Sequence, residues 1–177
     1  MLFVVILSLL AGEAAYAQKF AGLDPSPADI SYLRENGRRS AAVVKVSYGR
    51  PQKKGRTMLG STEPFGKVWR LGANETTEIK LFRDVTFGDK LVKAGTYSLY
   101  AIPNEKEWTI IFNSKLDTWG AYEYDESKDV VRFNVPTTKP ATEIEALSMV
   151  FDEANGTGKS NLWIGWENTV VQIPVKF

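Results

Sequence analysis

The chain has 177 residues, with 22 Lys+Arg against 21 Asp+Glu, so no net field favours nucleic acid or an anionic membrane surface. It contains no cysteine and no histidine. This excludes a disulfide framework, a thiolate nucleophile, the usual zinc sites, a Ser-His-Asp triad and any histidine general base. Oxygen-ligated hard cations remain possible, as does catalysis by carboxylate, Lys, Tyr or Ser groups.

Residues 1–17 read as a secretory signal. Leu2 to Leu10 is apolar but too short to span a bilayer comfortably, and Ala15-Tyr16-Ala17 is a small-x-small cleavage site ahead of Gln18. The n-region departs from the usual pattern in having no Lys or Arg. The expectation is an exported protein, periplasmic or at the cell surface, with no transmembrane span in its mature chain. Residues 18–39 read as a leader carrying one short helix. Ser26 suits an N-cap, Pro27 the first helical position and Asp29 the positive helix end, so a helix is expected over Pro27 to Asn36 and closed by Gly37.

From residue 40 to 177 the pattern is β. Val44, Val46 and Tyr48 alternate with Lys45 and Ser47. A turn-rich basic stretch, Tyr48 to Glu78, interrupts the alternation with Pro51, Gly55, Gly60, Pro64 and Gly66, leaving room for a short strand over Val68 to Leu71. Thr77, Ile79 and Leu81 resume the alternation. Val85-Thr86-Phe87 and Lys90-Leu91-Val92 flank Gly88-Asp89 as a hairpin. Strands follow at Thr96 to Ile102 and Trp108 to Asn113, then a polar-aromatic connection from Ser114 to Asp129. Val131 to Val135, Glu143 to Asp152, Leu162 to Trp166 and Val171 to Val175 complete the series, with Pro174 suggesting an edge for the last strand. The fold expected is all-β: an antiparallel two-sheet sandwich or partly closed barrel with one short N-terminal helix, in a single domain.

Several ordered motifs carry a resemblance. They are Ser26-Pro27-x-Asp29, Tyr48-x-Arg50-Pro51, Lys54-Gly55-Arg56, the run Pro64-Phe65-Gly66-x-Val68-Trp69-Arg70-x-Gly72-Ala73-Asn74-Glu75, Ala94-Gly95-x-Tyr97-Ser98-Leu99, Ile102-Pro103, Glu107-Trp108-Thr109, Trp119-Gly120-Ala121-Tyr122 and Trp166-Glu167-Asn168-Thr169. Together they cover almost all of the chain after residue 17. The chain resembles the "domain of unknown function 2911" family of exported bacterial proteins of the Bacteroidetes type. One departure is Gly49, where that family commonly has Ser between Tyr and Arg. The resemblance implies a fold and an exported location, and no activity.

Seven residues are the candidate ligand-binding set: Arg50, Arg56, Arg70, Asn74, Glu75, Trp119 and Tyr122. Guanidinium forks bind carboxylate or phosphate bidentately. The same arginines could instead pair with Glu63, Glu75 and Glu78, or bond carbonyls in a long irregular loop. The Asn-Glu-Thr run suits a hydroxyl-rich ligand, or equally a turn that bonds its own backbone. Trp119 and Tyr122 lie where rings could be exposed to stack on a sugar, whereas Trp108 and Trp166 fall on the apolar phase of their strands. Glu75, Glu78, Asp117, Glu123, Asp125 and Glu167 are the acids available for a hydrolase, which needs two at a defined separation. Asp125-Glu126-x-x-Asp129 lacks EF-hand spacing. No cofactor and no metal site are expected. The function expected is a non-enzymatic binding module for a small polar, anionic or saccharide-like ligand. The alternatives are a carboxylate-dependent hydrolase and a structural or assembly protein of the cell surface that pairs through a sheet edge.

Overall fold

The computed structural model describes residues 18–177, and the expected signal segment lies outside these residues. Eleven strands form one antiparallel network: β1 (Ala28–Arg34), β2 (Ala42–Gly49), β3 (Glu78–Leu81), β4 (Val85–Phe87), β5 (Lys90–Val92), β6 (Gly95–Ile102), β7 (Glu107–Asn113), β8 (Asp129–Thr138), β9 (Ile144–Phe151), β10 (Lys159–Glu167) and β11 (Thr169–Lys176). The order is β1-β2-β3-β6-β7-β8-β11-β10-β9, and the β4–β5 hairpin attaches to β11. Strand β8 turns a corner. It pairs with β7 through Pro136, and then Thr137 and Thr138 pair with Val171 and Val170 of β11. At the opposite corner the chain leaving β2 reaches β9: Leu147 N donates to Pro51 O at 2.9 Å and Lys53 N to Glu145 O at 2.9 Å. The sheet is thus nearly closed into a barrel.

The interior follows the period-2 pattern. Val44, Val46, Ile79, Leu81, Leu99, Ile110, Phe112, Leu162, Ile164, Val171 and Ile173 face one core. Three tryptophans sit inside it: Trp69 stacks on Trp166 with centroids 5.5 Å apart and meets Trp108 edge-on at 5.9 Å. A second buried layer lies outside the sheet. Tyr100 and Ile111 alternate with core residues, so they point outward, yet both are covered. The Ser114–Lys128 connection provides that cover, with Tyr124 meeting Tyr100 edge-on at 5.1 Å. Its 3₁₀ turn, Glu126–Lys128, is capped by Asp125.

Three local expectations are corrected. The segment expected as a helix, Pro27 to Asn36, is strand β1. Its capping signals are genuine, but Asp29, Ser31 and Leu33 also alternate with exposed Ala28, Ile30 and Tyr32, and pairing with β2 satisfies the backbone of the whole segment. Val68 to Leu71 is not a strand: only Trp69 bridges to Ala101, and Leu71 turns the chain at φ 51°. Finally, β11 is not an edge. Pro174 sits where its missing N–H is not needed, because the β8 pairing ends at Val171 and the β4 pairing begins at Val175. Its carbonyl faces that gap and accepts Gly88 N at 2.7 Å.

Candidate functional site

Register places polar residues in a line on the outer face of the sheet. Ser47 of β2 pairs with Glu78 of β3, and Glu78 with Ser98 of β6. Antiparallel partners share a face, so this row forms a polar floor. Two walls rise on it. One is the loop from Leu71 to Thr76; the other is the start of the covering connection, Asp117 and Thr118. Between them lies a cleft of about 260 Å³, lined on its charged and amide positions by Asn74, Glu75, Glu78 and Asp117.

The first wall is fixed from several directions. Thr77 Oγ1 donates to Leu71 O at 2.8 Å, Thr77 N to Arg70 O at 3.2 Å, and Trp69 Nε1 to Gly72 O at 3.1 Å. Ala73 N donates to Gly49 O at 3.2 Å, which ties the loop to the end of β2. The two walls also hold each other. Thr76 N donates to Thr118 O, Gly120 N to Asn74 O, and Thr76 Oγ1 to Gly120 O at 2.6 Å. Thr118 Oγ1 lies 2.8 Å from Thr76 Oγ1 and 3.0 Å from Tyr100 OH, so the covered tyrosine anchors the second wall.

Threonines therefore do the scaffolding, bonding backbone as expected for such a turn. Asn74 and Glu75 differ: among the described residues neither side chain is hydrogen-bonded to protein, and both line the cleft. Asn74 and Asp117 both hold left-handed backbone, at φ 61° and 57°. Asn and Asp tolerate this region better than most residues, and such positions concentrate where binding is organised. Three carboxylates line the cleft, and no Lys or Arg does. No group of three acidic side chains among the described residues is disposed to hold one metal ion. The chemistry offered is acceptors and hydroxyls spread over a surface, not a convergent cage.

The sequence candidates fall in different places. Arg50 is a tie between strands: Nε donates to Leu147 O at 3.0 Å, NH2 to Ser148 Oγ at 2.8 Å and NH1 to Asp29 Oδ2 at 3.2 Å. Neighbouring Tyr48 accepts Met149 N at 3.0 Å, and its phenol is pushed up chiefly by burial, with the Asp29 charge adding to the effect. Arg56 bonds the carbonyls of Lys53 and Gln52 in its own loop. Neither reaches the cleft. Trp119 is 59% exposed; its backbone bridges to Glu75, which lines the cleft, but Trp119 itself is not part of the lining. Arg70 and Tyr122 line a separate cavity.

Glu167, one of the acids weighed for catalysis, is buried and structural. Its two carboxylate oxygens accept the Met58 and Leu59 N–H groups, each at 2.8 Å. Asp125 and Asp129 are likewise engaged by Ser127 and by Asn113, Tyr124 and Arg132. The tyrosine in that last group is pushed up to about 12 by burial and by its bond to Asp129, against the opposing charge of Arg132. Of the residues that shape the cleft, Thr118 was not among the candidates, and Glu78 and Asp117 were weighed only as acids for a hydrolase and not in the ligand-binding set. Glu78 was readable as the outward position beside Ile79. Asp117 and Thr118 lie in a connection without periodicity, and only the fold brings them to Asn74.

Over residues 33–175 the chain matches the model of the family described as "Protein of unknown function (DUF2911)", and it belongs to that family. No curated protein and no solved structure matches it.

Proposed function

With membership of that family as the premise, we propose that the protein is an exported binding module for a small, neutral, hydroxyl-rich ligand of saccharide type. The observation that carries this is the composition of the cleft: Asn74 and Glu75 unengaged by protein, facing Asp117 across a floor of Glu78, Ser47 and Ser98, with no cation in the lining. Carboxylates and amides accept and donate to vicinal hydroxyls, while three acids would repel a phosphate or carboxylate. An anionic ligand is therefore disfavoured here. Exposed Trp119 beside the cleft offers a ring face to the apolar side of a sugar.

Calorimetry with neutral mono- and oligosaccharides tests the reading, using the wild type, Asn74→Ala, Glu75→Gln and Trp119→Ala. Each substitution is expected to weaken binding by roughly tenfold, the worth of a hydrogen bond to a charged group or a stacked ring. Saccharide binding unchanged in all three variants would contradict it.

A carboxylate-dependent hydrolase is the second reading. It is favoured by one observation, that Glu75, Glu78 and Asp117 face a shared cavity. Product analysis decides between the two: turnover of a bound oligosaccharide that is abolished in Glu75→Gln or Asp117→Asn supports the enzyme, and an unchanged ligand supports the module. Export rests on the apolar run and cleavage site before Gln18. Protein recovered from the periplasm or medium should begin at Gln18, and an intact N-terminus in the cytoplasm would contradict export.

A further inference from the structure

A second cavity, of about 440 Å³, opens between the Thr62–Glu63 loop, the Val68–Arg70 segment and the Ala121–Tyr122 turn. It shares no lining residue with the acid-lined cleft. Its chemistry differs, because its lining holds a cation, Arg70, beside its single acid, Glu63. Arg70 Nε is buried without a hydrogen-bond partner among the described residues. The other two arginines of the Tyr48–Glu78 stretch are engaged: Arg50 with Leu147, Ser148 and Asp29, and Arg56 with Lys53 and Gln52. A buried donor without an acceptor is costly, and a guanidinium more so than a neutral amide. The nearby Glu63 does not close an ion pair with it among the described residues, although both line the cavity. Burial pushes the Glu63 carboxyl up, and the charge of Arg70 opposes this only in part. Tyr122 stands at the mouth, 89% exposed, its ring held against Gly120, where an added Cβ would meet Tyr122 Cε2 at 2.8 Å.

We propose that this cavity is a second binding site, which takes a carboxylate on Arg70 and packs the body of the ligand on the Tyr122 ring. Arg70 Nε itself is sealed from solvent, but the terminal nitrogens NH1 and NH2 make no hydrogen bond or ion pair to protein among the described residues, and a carboxylate supplies acceptors for that forked end of the guanidinium. Tyr122 adds a flat surface already placed at the opening. Glu63 sets the strength of the site from the side, because its negative charge competes with the incoming carboxylate for Arg70. The site stands independently of the saccharide reading of the cleft, since neither its residues nor its charge are shared with it.

The test is an amide-resolved NMR titration of the purified protein with galacturonate, succinate and galactose. Galacturonate and succinate separate a sugar acid from a simple organic acid as the source of the carboxylate, and galactose is the neutral control. Galacturonate or succinate is expected to shift the resonances of Glu63, Arg70 and Tyr122, and galactose is not. Arg70→Gln should weaken the carboxylate by roughly tenfold or more, the scale of a lost charge-assisted bond. Tyr122→Ala, at an exposed position that leaves the fold intact, should weaken it as well. Glu63→Gln should tighten it, a response that a purely structural Arg70 would not give. The proposal is overturned if no carboxylate shifts these resonances, if galactose shifts them equally, or if Arg70→Gln and Tyr122→Ala bind as the wild type does.

Discussion

Gly49 and Ala73 touch backbone to backbone: a Cβ at Gly49 would stand 2.1 Å from the Ala73 carbonyl oxygen. The contact brings the first wall of the cleft onto the end of β2, where Ala73 N also donates to Gly49 O. Gly72 completes the approach, since a Cβ there would meet Thr77 Oγ1 at 2.8 Å. Gly49 is thus fitted, in this chain, to a close backbone approach.

Gly49→Ala should therefore displace the Leu71–Thr76 loop, because backbone lies in the way and cannot swing aside as a side chain would. The expected loss is about 2 kcal/mol of stability, the scale of overpacking at a rigid site. Saccharide binding in the cleft should fall with it. Chemical denaturation with a parallel binding isotherm measures both. A variant as stable as the wild type would show that the loop accommodates the methyl without strain.

Glu167 tests the opposite corner. Its carboxylate receives two consecutive N–H groups while the residue itself holds φ 52°. Glu167→Ala would leave the Met58 and Leu59 donors buried and unpaired, at about 2–3 kcal/mol. Urea unfolding of this variant should show a lower midpoint, and its cleft affinity should remain near wild type. A loss of binding without a loss of stability would return Glu167 to the functional residues.

The two outer arginines should separate cleanly. Arg50→Ala breaks three bonds joining β1, β2 and β9, and is expected to cost about 2–3 kcal/mol. Arg56 is exposed and bonds carbonyls of its own loop, so Arg56→Ala should leave the melting temperature close to wild type. Equal effects in thermal melts would contradict the assignment of Arg50 as the interstrand tie.

Two titrations have defined signs. Tyr124 is raised from 10.0 to about 12, so between these values the folded state holds a proton that the unfolded chain has lost. Its contribution is complete below pH 10 and is lost as pH rises through about 12. Tyr48 acts in the same direction, and the raised Lys53 and Lys93 groups also lose their pairing with Glu143 and Asp84 as they deprotonate. Tyr124→Phe should flatten the alkaline limb in this window without abolishing it. Glu63 is an acid raised above its ordinary 4.5, so the folded state is penalised once pH exceeds the unfolded value. Glu63→Gln should be more stable than wild type at neutral pH, and the difference should vanish as the solution is acidified below 4.5. Melts at a series of pH values check both, and a Glu63→Gln advantage that persists at low pH would contradict the second.

Much of the barrel was legible because strands with one face on a core must alternate. Val44-Lys45-Val46, Ile79-Lys80-Leu81 and Leu162 to Trp166 carry that alternation plainly. The β1 segment misled because a Ser-Pro-x-Asp start is a local signal, and antiparallel pairing to a distant strand overrode it. Basic charge in the Tyr48–Glu78 stretch suggested one arginine-rich pocket, yet Arg50 faces β9, Arg56 faces its own loop and Arg70 faces a second cavity. Sequence spacing says nothing of direction in irregular backbone. Asn74 and Glu75 were identifiable from their residue types, but Asp117 joins them only through the bonds Thr76 to Thr118 and Gly120 to Asn74.

The central claim is that the cleft between Asn74 and Asp117 binds a neutral hydroxyl-rich ligand. An amide-resolved NMR titration with a neutral oligosaccharide tests it most directly. Shifts confined to Ser47, Asn74 to Glu78, Ser98 and Asp117 to Gly120, and lost in Glu75→Gln, are the result expected. Saturating saccharide that leaves these resonances unmoved, or moves only residues elsewhere on the barrel, would contradict the claim.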